Sequence, residues 1–155
     1  MNENHIICDI DGTVAEISHR LHFIQGKKKY YDAFFQACVG DEPIFPIINL
    51  LAALSFCGYS IIFVSGRSDI VREQTIEWLN RFLTFKNYRL IMRRAGDTRP
   101  DEIVKEEMLL EIKNGFIREG FFNNKIVLVL DDRKKVVDMW RRNGLTCLQV
   151  AEGNF

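Results

Sequence analysis

Five short apolar runs, each bounded by polar or turn-forming residues, alternate along this chain with stretches of helical periodicity. The runs are Ile6 to Ile10, Tyr59 to Val64, Tyr88 to Met92, Ile126 to Leu130 and Leu145 to Val150. Runs of this length, rich in β-branched residues, suit strands buried on both faces. Between them, Ile47, Leu50, Leu51 and Leu54 share one helical face, and Gly58 follows where a helix C-terminal glycine belongs. Val71, Thr75, Trp78, Leu79 and Phe82 form a second stripe, Val104, Met108 and Ile112 a third, and Val136, Val137 and Trp140 a fourth. Strand–helix alternation implies right-handed crossovers and therefore a parallel sheet covered on both faces. The expected fold is α/β, a doubly wound, five-stranded parallel sheet of the Rossmann type.

With 155 residues and 47% hydrophobic content, residues 1–155 suffice for one domain with its own core. No repeat or composition shift marks a linker. Residues 14–43 are the exception: they lie between the first strand and the first full crossover helix, with a short helix expected near Tyr31 to Val39 and a turn at Gly40 to Pro43. They read as a small insertion over the carboxyl edge of the sheet. The 21 basic and 21 acidic residues cancel, which removes the case for a histone-like or polybasic membrane-bound protein and leaves only a local basic groove. The most apolar stretch, Ile44 to Cys57, is interrupted by Pro46, Asn49 and Ser55 and falls short of the roughly 20 residues a membrane span needs. Ile6 to Cys8 is too short for a signal peptide core, so the chain is expected to begin directly with its fold. Cys8, Cys38, Cys57 and Cys147 lack C-x-x-C spacing and read as reduced core residues of a cytoplasmic protein.

Ligands of such sheets bind beyond the carboxyl ends of the strands, at the switch point. Here the first strand ends in Asp9-Ile10-Asp11-Gly12-Thr13, the second in Ser65-Gly66-Arg67-Ser68 and the fourth in Asp131-Asp132-Arg133. Four aspartates in one crevice repel one another unless a divalent cation neutralises them. Magnesium, a hard cation with oxygen ligands, is the expected cofactor, since no clustered His or Cys offers a softer site. Arg67 and Lys105 then need an anion, and a phosphoryl group between metal and cations satisfies both.

Asp-x-Asp-Gly-Thr after the first strand, Ser65 after the second, Lys105 in the helix after the third and Asp131-Asp132 after the fourth resemble the haloacid dehalogenase superfamily of aspartate-nucleophile phosphatases. More narrowly, Val64 to Arg67, Gly96 to Glu107, Leu130 to Arg133, Val137 to Arg142 and the closing Gln149 to Phe155 are similar to the 3′-phosphatase domain of phage polynucleotide kinase. The narrower likeness covers the C-terminal two thirds and is poor over residues 14–59. The resemblance implies a magnesium-dependent phosphomonoesterase acting on a phosphorylated DNA or RNA 3′ end. In it Asp9 is the nucleophile, Asp11 the general acid and base, and Ser65 and Lys105 hold the phosphoryl group. Asp9, Asp131, Asp132 and the main-chain carbonyl of Asp11 surround the metal. Thr13, Arg20, Gly66, Arg67, Arg93, Arg99 and Asp101 are the implied substrate-binding or supporting residues. A short insertion in place of a large cap leaves room for a polymer. The kinase P-loop motif G-x-x-x-x-G-K-[ST] is not in this sequence, so no 5′-kinase activity is expected and a separate kinase or ligase partner stays open.

Plainer readings stand beside these. Asp9 and Asp11 are also what a capped turn at a strand end looks like. Ser65 alone would be a helix N-cap, Lys105 an exposed residue paired with Asp101 at i, i+4, and Asp132 a helix-starting acid. Arg133, Lys134, Lys135, Arg141 and Arg142 read as a solvated helix face. Lys27-Lys28-Lys29 followed by Tyr30, Tyr31, Phe34 and Phe35 offers phosphate contacts and base stacking for a single strand, but helical spacing favours a basic turn before a helix that buries its aromatics. Two other functions remain: a phosphatase of a small metabolite or free nucleotide, and a non-catalytic module that binds nucleic-acid ends.

Overall fold

The computed structural model describes residues 4–118 and 125–155, with the backbone alone for 116–118. Strand β1 (Asn4–Cys8) is followed by residues 14–43, which hold the short strand β2 (Ala15–Glu16), a 3-10 turn (Ser18–Arg20), helices α1 (His22–Gln25) and α2 (Tyr31–Gln36), a second 3-10 turn (Ala37–Gly40) and strand β3 (Glu42–Pro43). Then come α3 (Phe45–Phe56), β4 (Ser60–Ser68), α4 (Arg72–Phe82), β5 (Tyr88–Arg93), α5 (Asp101–Arg118), β6 (Lys125–Asp131), α6 (Lys134–Arg142) and β7 (Cys147–Gln149).

The five apolar runs form one parallel sheet in the order β5-β4-β1-β6-β7. Side chains alternate across it as the two-residue period demands. Ile6, Cys8, Ile61 and Phe63 pack with Ile48 and Leu51 of α3 and Trp78 and Leu79 of α4. Ile7, Ile62, Val64 and Val129 face the other way, onto Val104, Met108 and Leu109 of α5 and Val136, Val137 and Trp140 of α6. Helices therefore cover both faces, and the chain runs outward in opposite directions from the β1–β6 pair. The crevice beyond the carboxyl ends of those two strands is the switch point.

Three strands differ from the sequence reading by two or more residues at an end, the first being β1, which runs from Asn4 to Cys8 and stops short of Ile10. β4 continues past Val64 to Ser68 through a register shift against β5 between Ser65 and Ser68. The last strand is shorter than its apolar run because Leu145 closes α6, its N–H donating to the carbonyl of Trp140. The ends of the 14–43 segment are tied together by antiparallel pairing of β2 with β3 and by the Ile44 N–H donating to the Val14 carbonyl at 2.7 Å. Cysteine burial also departs from expectation. Cys8, Cys38 and Cys147 are buried, but Cys57 is exposed, because α3 ends at Phe56 and the chain turns through solvent at Gly58. No helix among the described residues is long and apolar enough to cross a membrane.

Candidate active site

Asp9 sits one residue past β1, its N–H donating to the Leu130 carbonyl at 2.9 Å, so the sheet itself aims the carboxylate into the crevice. The chain then reverses through Gly12, whose φ of +80° suits glycine alone and whose missing side chain leaves room for the Asp132 carboxylate. Thr13 folds back so that its hydroxyl donates to Asp9 Oδ2 at 3.3 Å.

Lys105, on the first turns of α5, is buried and donates to Asp9 Oδ1 at 2.7 Å and to Asp131 Oδ2 at 2.9 Å. It is not an exposed partner of Asp101, because its side chain runs inward beneath the strand ends. Trp140 Nε1 also donates to Asp131 Oδ2, at 3.1 Å, and fixes that carboxylate from the helix behind it. Asp9, Asp131 and Asp132 each bring an oxygen within 4.8 Å of the others. Burial raises the Asp9 carboxyl well above its ordinary range, with Asp131 and Asp132 adding to the shift and Lys105 opposing it. Burial, and then the charge of Asp131, push Asp132 up to about 7. Asp132 Oδ1 is buried with no hydrogen-bond partner among the described residues. An all-oxygen donor set that is crowded, buried and in part unpartnered fits a hard divalent cation.

Asp11 belongs to a different network. Its Oδ1 accepts from Arg20 Nη2 at 2.8 Å and from Arg67 Nε at 2.6 Å. Burial alone would raise its pKa, but the two guanidinium groups outweigh burial and hold it below the usual carboxylate range. The expected contact of Asp11 with a metal was through its main-chain carbonyl; its carboxylate is committed to these arginines. Arg67 reaches this position because the β4 irregularity lifts Gly66 and Arg67 out of the ladder, as bulges at strand ends do. Ser65, buried just before it, accepts the Arg67 N–H at 3.2 Å through its hydroxyl.

Asp41, a residue to which the sequence assigned no role, holds the same two arginines from the other side. Its Oδ1 accepts from Arg20 Nε at 2.7 Å, and its Oδ2 from Arg20 Nη2 at 2.7 Å and Arg67 Nη2 at 2.5 Å. His19 Nε2 lies 2.9 Å from Oδ1, and Trp78 Nε1 donates to the Asp41 carbonyl at 2.8 Å. The only local sign was an acid in a turn otherwise rich in breakers, which is common on surfaces.

The remaining expected residues form a second clamp at the rim. Asp101 accepts from Arg93 at Oδ1 and from Arg133 at Oδ2. Arg93 also donates to the carbonyls of Gly66, Asp97 and Arg99, at 2.8, 3.1 and 2.7 Å, and so ties the loop after β5 to the end of β4. A side chain at Gly66 would come within 2.6 Å of Asp101 Oδ1. Arg99 stands apart from the inner group: it is exposed and paired with Asp97 and Glu107. Arg133 is not part of a solvated face. It precedes α6, bonds Asp101 and the Phe155 carbonyl, and lies 4.8 Å from the Phe155 ring centroid. Around Asp9 and Asp11 opens a cleft of about 1150 Å³, bordered by α2, the loop after β5, the start of α6 and residues 153–155. The aromatics of α2 are not all buried as expected. Phe34 is, but Tyr31 is 49% exposed and lines this cleft.

Comparison with known proteins agrees with this geometry. The family of polynucleotide kinase PNKP phosphatase domains matches residues 3–155. A protein of Autographa californica nuclear polyhedrosis virus, bearing the name of a bifunctional polynucleotide kinase/RNA ligase, is 36% identical over 137 residues, which is 88% of this chain and 17% of the viral protein. A chain from the solved Pnkp1/Rnl/Hen1 complex is 32% identical with a TM-score of 0.76, covering 99% of this chain and 48% of its own length. The class C acid phosphatase of Bacillus anthracis, at 14% identity and a TM-score of 0.64 over 98% of this chain and 70% of its own, shares the fold. The present chain thus spans about a sixth of the viral relative and about half of the solved one. The carboxylate pair at the end of β1, the buried lysine that joins it to β6 and the family match over nearly the whole length lead to one assignment: this chain belongs to the haloacid dehalogenase phosphatases, in the family of polynucleotide kinase phosphatase domains.

Proposed function

We propose that the chain removes 3′-phosphates from polynucleotide ends, as a magnesium-dependent phosphomonoesterase that passes through an aspartyl phosphate. The observation that carries this reading is Lys105 bonded at once to Asp9 and Asp131, beside Asp132, beneath an open cleft. Asp9 Oδ attacks phosphorus while the bond to the leaving 3′ oxygen breaks, which divides one hard displacement into two easier ones. Asp11 gives its proton to that oxygen and later takes one from the water that hydrolyses the acyl phosphate. A substrate dianion competes with Asp11 for Arg67 and Arg20; this loosening raises the proton affinity of Asp11, which takes up a proton from solvent before it acts as the acid. Ser65 and Lys105 hold phosphoryl oxygens. Magnesium held by Asp9, Asp131 and Asp132 would supply charge neutralisation and polarise the phosphoryl group.

The names of the relatives suggest that the chain works beside kinase and ligase activities, attached or separate. Its free thiols suit a reducing, cytoplasmic setting. With magnesium, the protein should release phosphate from a 3′-phosphorylated oligonucleotide, and Asp9→Asn should abolish release. Release from mononucleotides or sugar phosphates alone would overturn the substrate assignment in favour of a small-molecule phosphatase.

A further inference from the structure

The cleft above Asp9 has two unlike banks. On one side stand Ile24, Tyr31 and Phe35, apolar and partly open to it; on the other, basic residues from the loop after β5 and the start of α6. Tyr31 and Phe35 lie one helical turn apart with ring centroids 6.3 Å apart and planes inclined by 29°, so they present one shared aromatic surface. The core takes only part of this surface: Phe35 is partly buried against it, whereas Tyr31 is not among the residues packed there. Phe34, their neighbour on α2, already fills the buried position. Phe34 also fixes the helix to the catalytic group: the Arg20 guanidinium lies 4.2 Å from its ring centroid, donates to its carbonyl at 3.3 Å and bonds Asp11. The aromatic surface is therefore held at a set position beside the acid that protonates the leaving oxygen. Most cations around the cleft are engaged by carboxylates, but Lys29 and Lys135, one on each bank, make no ion pair among the described residues. A cleft of about 1150 Å³ is also larger than a single small ligand requires.

We infer that Tyr31, backed by Phe35, is the stacking platform for the unpaired base of the 3′-terminal nucleotide, with Lys29 and Lys135 taking phosphates of the strand, so that the substrate is a single-stranded or frayed 3′ end. This rests on the function proposed above. Base stacking on aromatic side chains is sequence-tolerant, and free cations track a backbone, which together recognise a strand and not a sequence. A closed terminal base pair exposes only its outer face and brings the complementary strand with it, whereas an unpaired terminal base can turn either face to Tyr31.

The test compares KM and kcat of the 155-residue chain and its Tyr31→Ala and Tyr31→Phe variants on two 3′-phosphorylated oligonucleotides. These differ only at the terminal residue, one carrying a base and the other a stable abasic analogue. The wild type should show a KM about 10-fold lower for the base-bearing end. Tyr31→Ala should bring that ratio to about one, and Tyr31→Phe should restore it. A ratio that Tyr31→Ala leaves intact, or two KM values that rise together, overturns the platform. An active wild type with a ratio near one overturns the platform while leaving the phosphatase reading in place. A wild type that hydrolyses a sugar phosphate but neither oligonucleotide removes both.

Discussion

Replacing Asp41 should unfold the Asp11 side of the site more readily than it weakens any other part of the molecule. The Arg20 and Arg67 side chains are fully buried, and their described carboxylate partners are Asp11 and Asp41. Removing Asp41 leaves two buried guanidinium groups facing one carboxylate. Breaking a buried ion pair from one side costs about 3–5 kcal/mol, because the charge left behind is uncompensated. Native domains have only about 5–15 kcal/mol in total, so Asp41→Ala should approach the limit of folding. Asp41→Asn is the more informative variant. With its oxygen at the Oδ2 position it still accepts from Arg20 Nη2 and Arg67 Nη2, but its amide group then meets Arg20 Nε and His19 Nε2 where Oδ1 accepted before. The expected loss is about 3 kcal/mol, read from urea denaturation with an unchanged m-value. Phosphate release should fall more than 10-fold even at temperatures where the variant is folded, because Asp11 loses the paired guanidinium groups that hold it. A variant within about 1 kcal/mol of the wild type, a size usual for exposed pairs, would refute the claim that Asp41 holds buried charge together.

Two further outcomes follow from the same site. Gly12→Ala should cost about 1–2 kcal/mol for its left-handed φ and should abolish phosphate release, since the new methyl group collides with Asp132 Oδ2; Gly144→Ala, with φ +80° and open space around it, should cost similar stability and leave activity intact. If both variants behave alike in the phosphate assay, the tight turn is not what seats Asp132. Without a divalent cation, stability should fall as pH rises through about 7, where Asp132 titrates in the folded state. The sign follows from linkage: a carboxyl with a raised folded pKa stabilises below its unfolded value and loses that contribution as pH climbs through the folded one, here on the order of a few kcal/mol. Added magnesium should therefore raise Tm more at pH 8 than at pH 5, and an equal rise at both would contradict a cation seated among Asp9, Asp131 and Asp132.

What could be read in advance, and what could not, divides along a physical line. Sheet strands buried on both faces announce themselves as apolar runs, and polar residues at their carboxyl ends have nowhere to point but the crevice. The positions of Asp9 and Asp131 at two adjacent strand ends were legible for that reason. Arg133 was misread because the Val136, Val137 and Trp140 stripe reports which way α6 faces but says nothing of the residue preceding its first turn. Tyr31 was misread because helical spacing alone suggests that aromatics three and four apart are buried together. A six-residue helix has room for one buried position, and Phe34 takes it. Asp41 had no periodicity to betray it, since its partners lie 21 and 26 residues away and come to it only when the 14–43 segment closes on itself.

That closure makes the segment more than an attachment at the mouth of the sheet. Arg20 and Asp41 come from its two ends, Arg67 from the bulged end of β4, and the Asp41 carbonyl is held by Trp78 of α4. Asp11 is oriented by Arg20 and Arg67 together, and neither arginine keeps its place without Asp41. Local opening of the segment, the kind of partial unfolding that native proteins undergo well below their global stability, would therefore release Asp11 while leaving Asp9, Lys105 and Asp131 in position. Asp9 and Lys105 depend on the sheet and α5, whereas Asp11 depends on residues 14–43, so the proposed nucleophile and the proposed acid are built on parts of the fold that can fail separately.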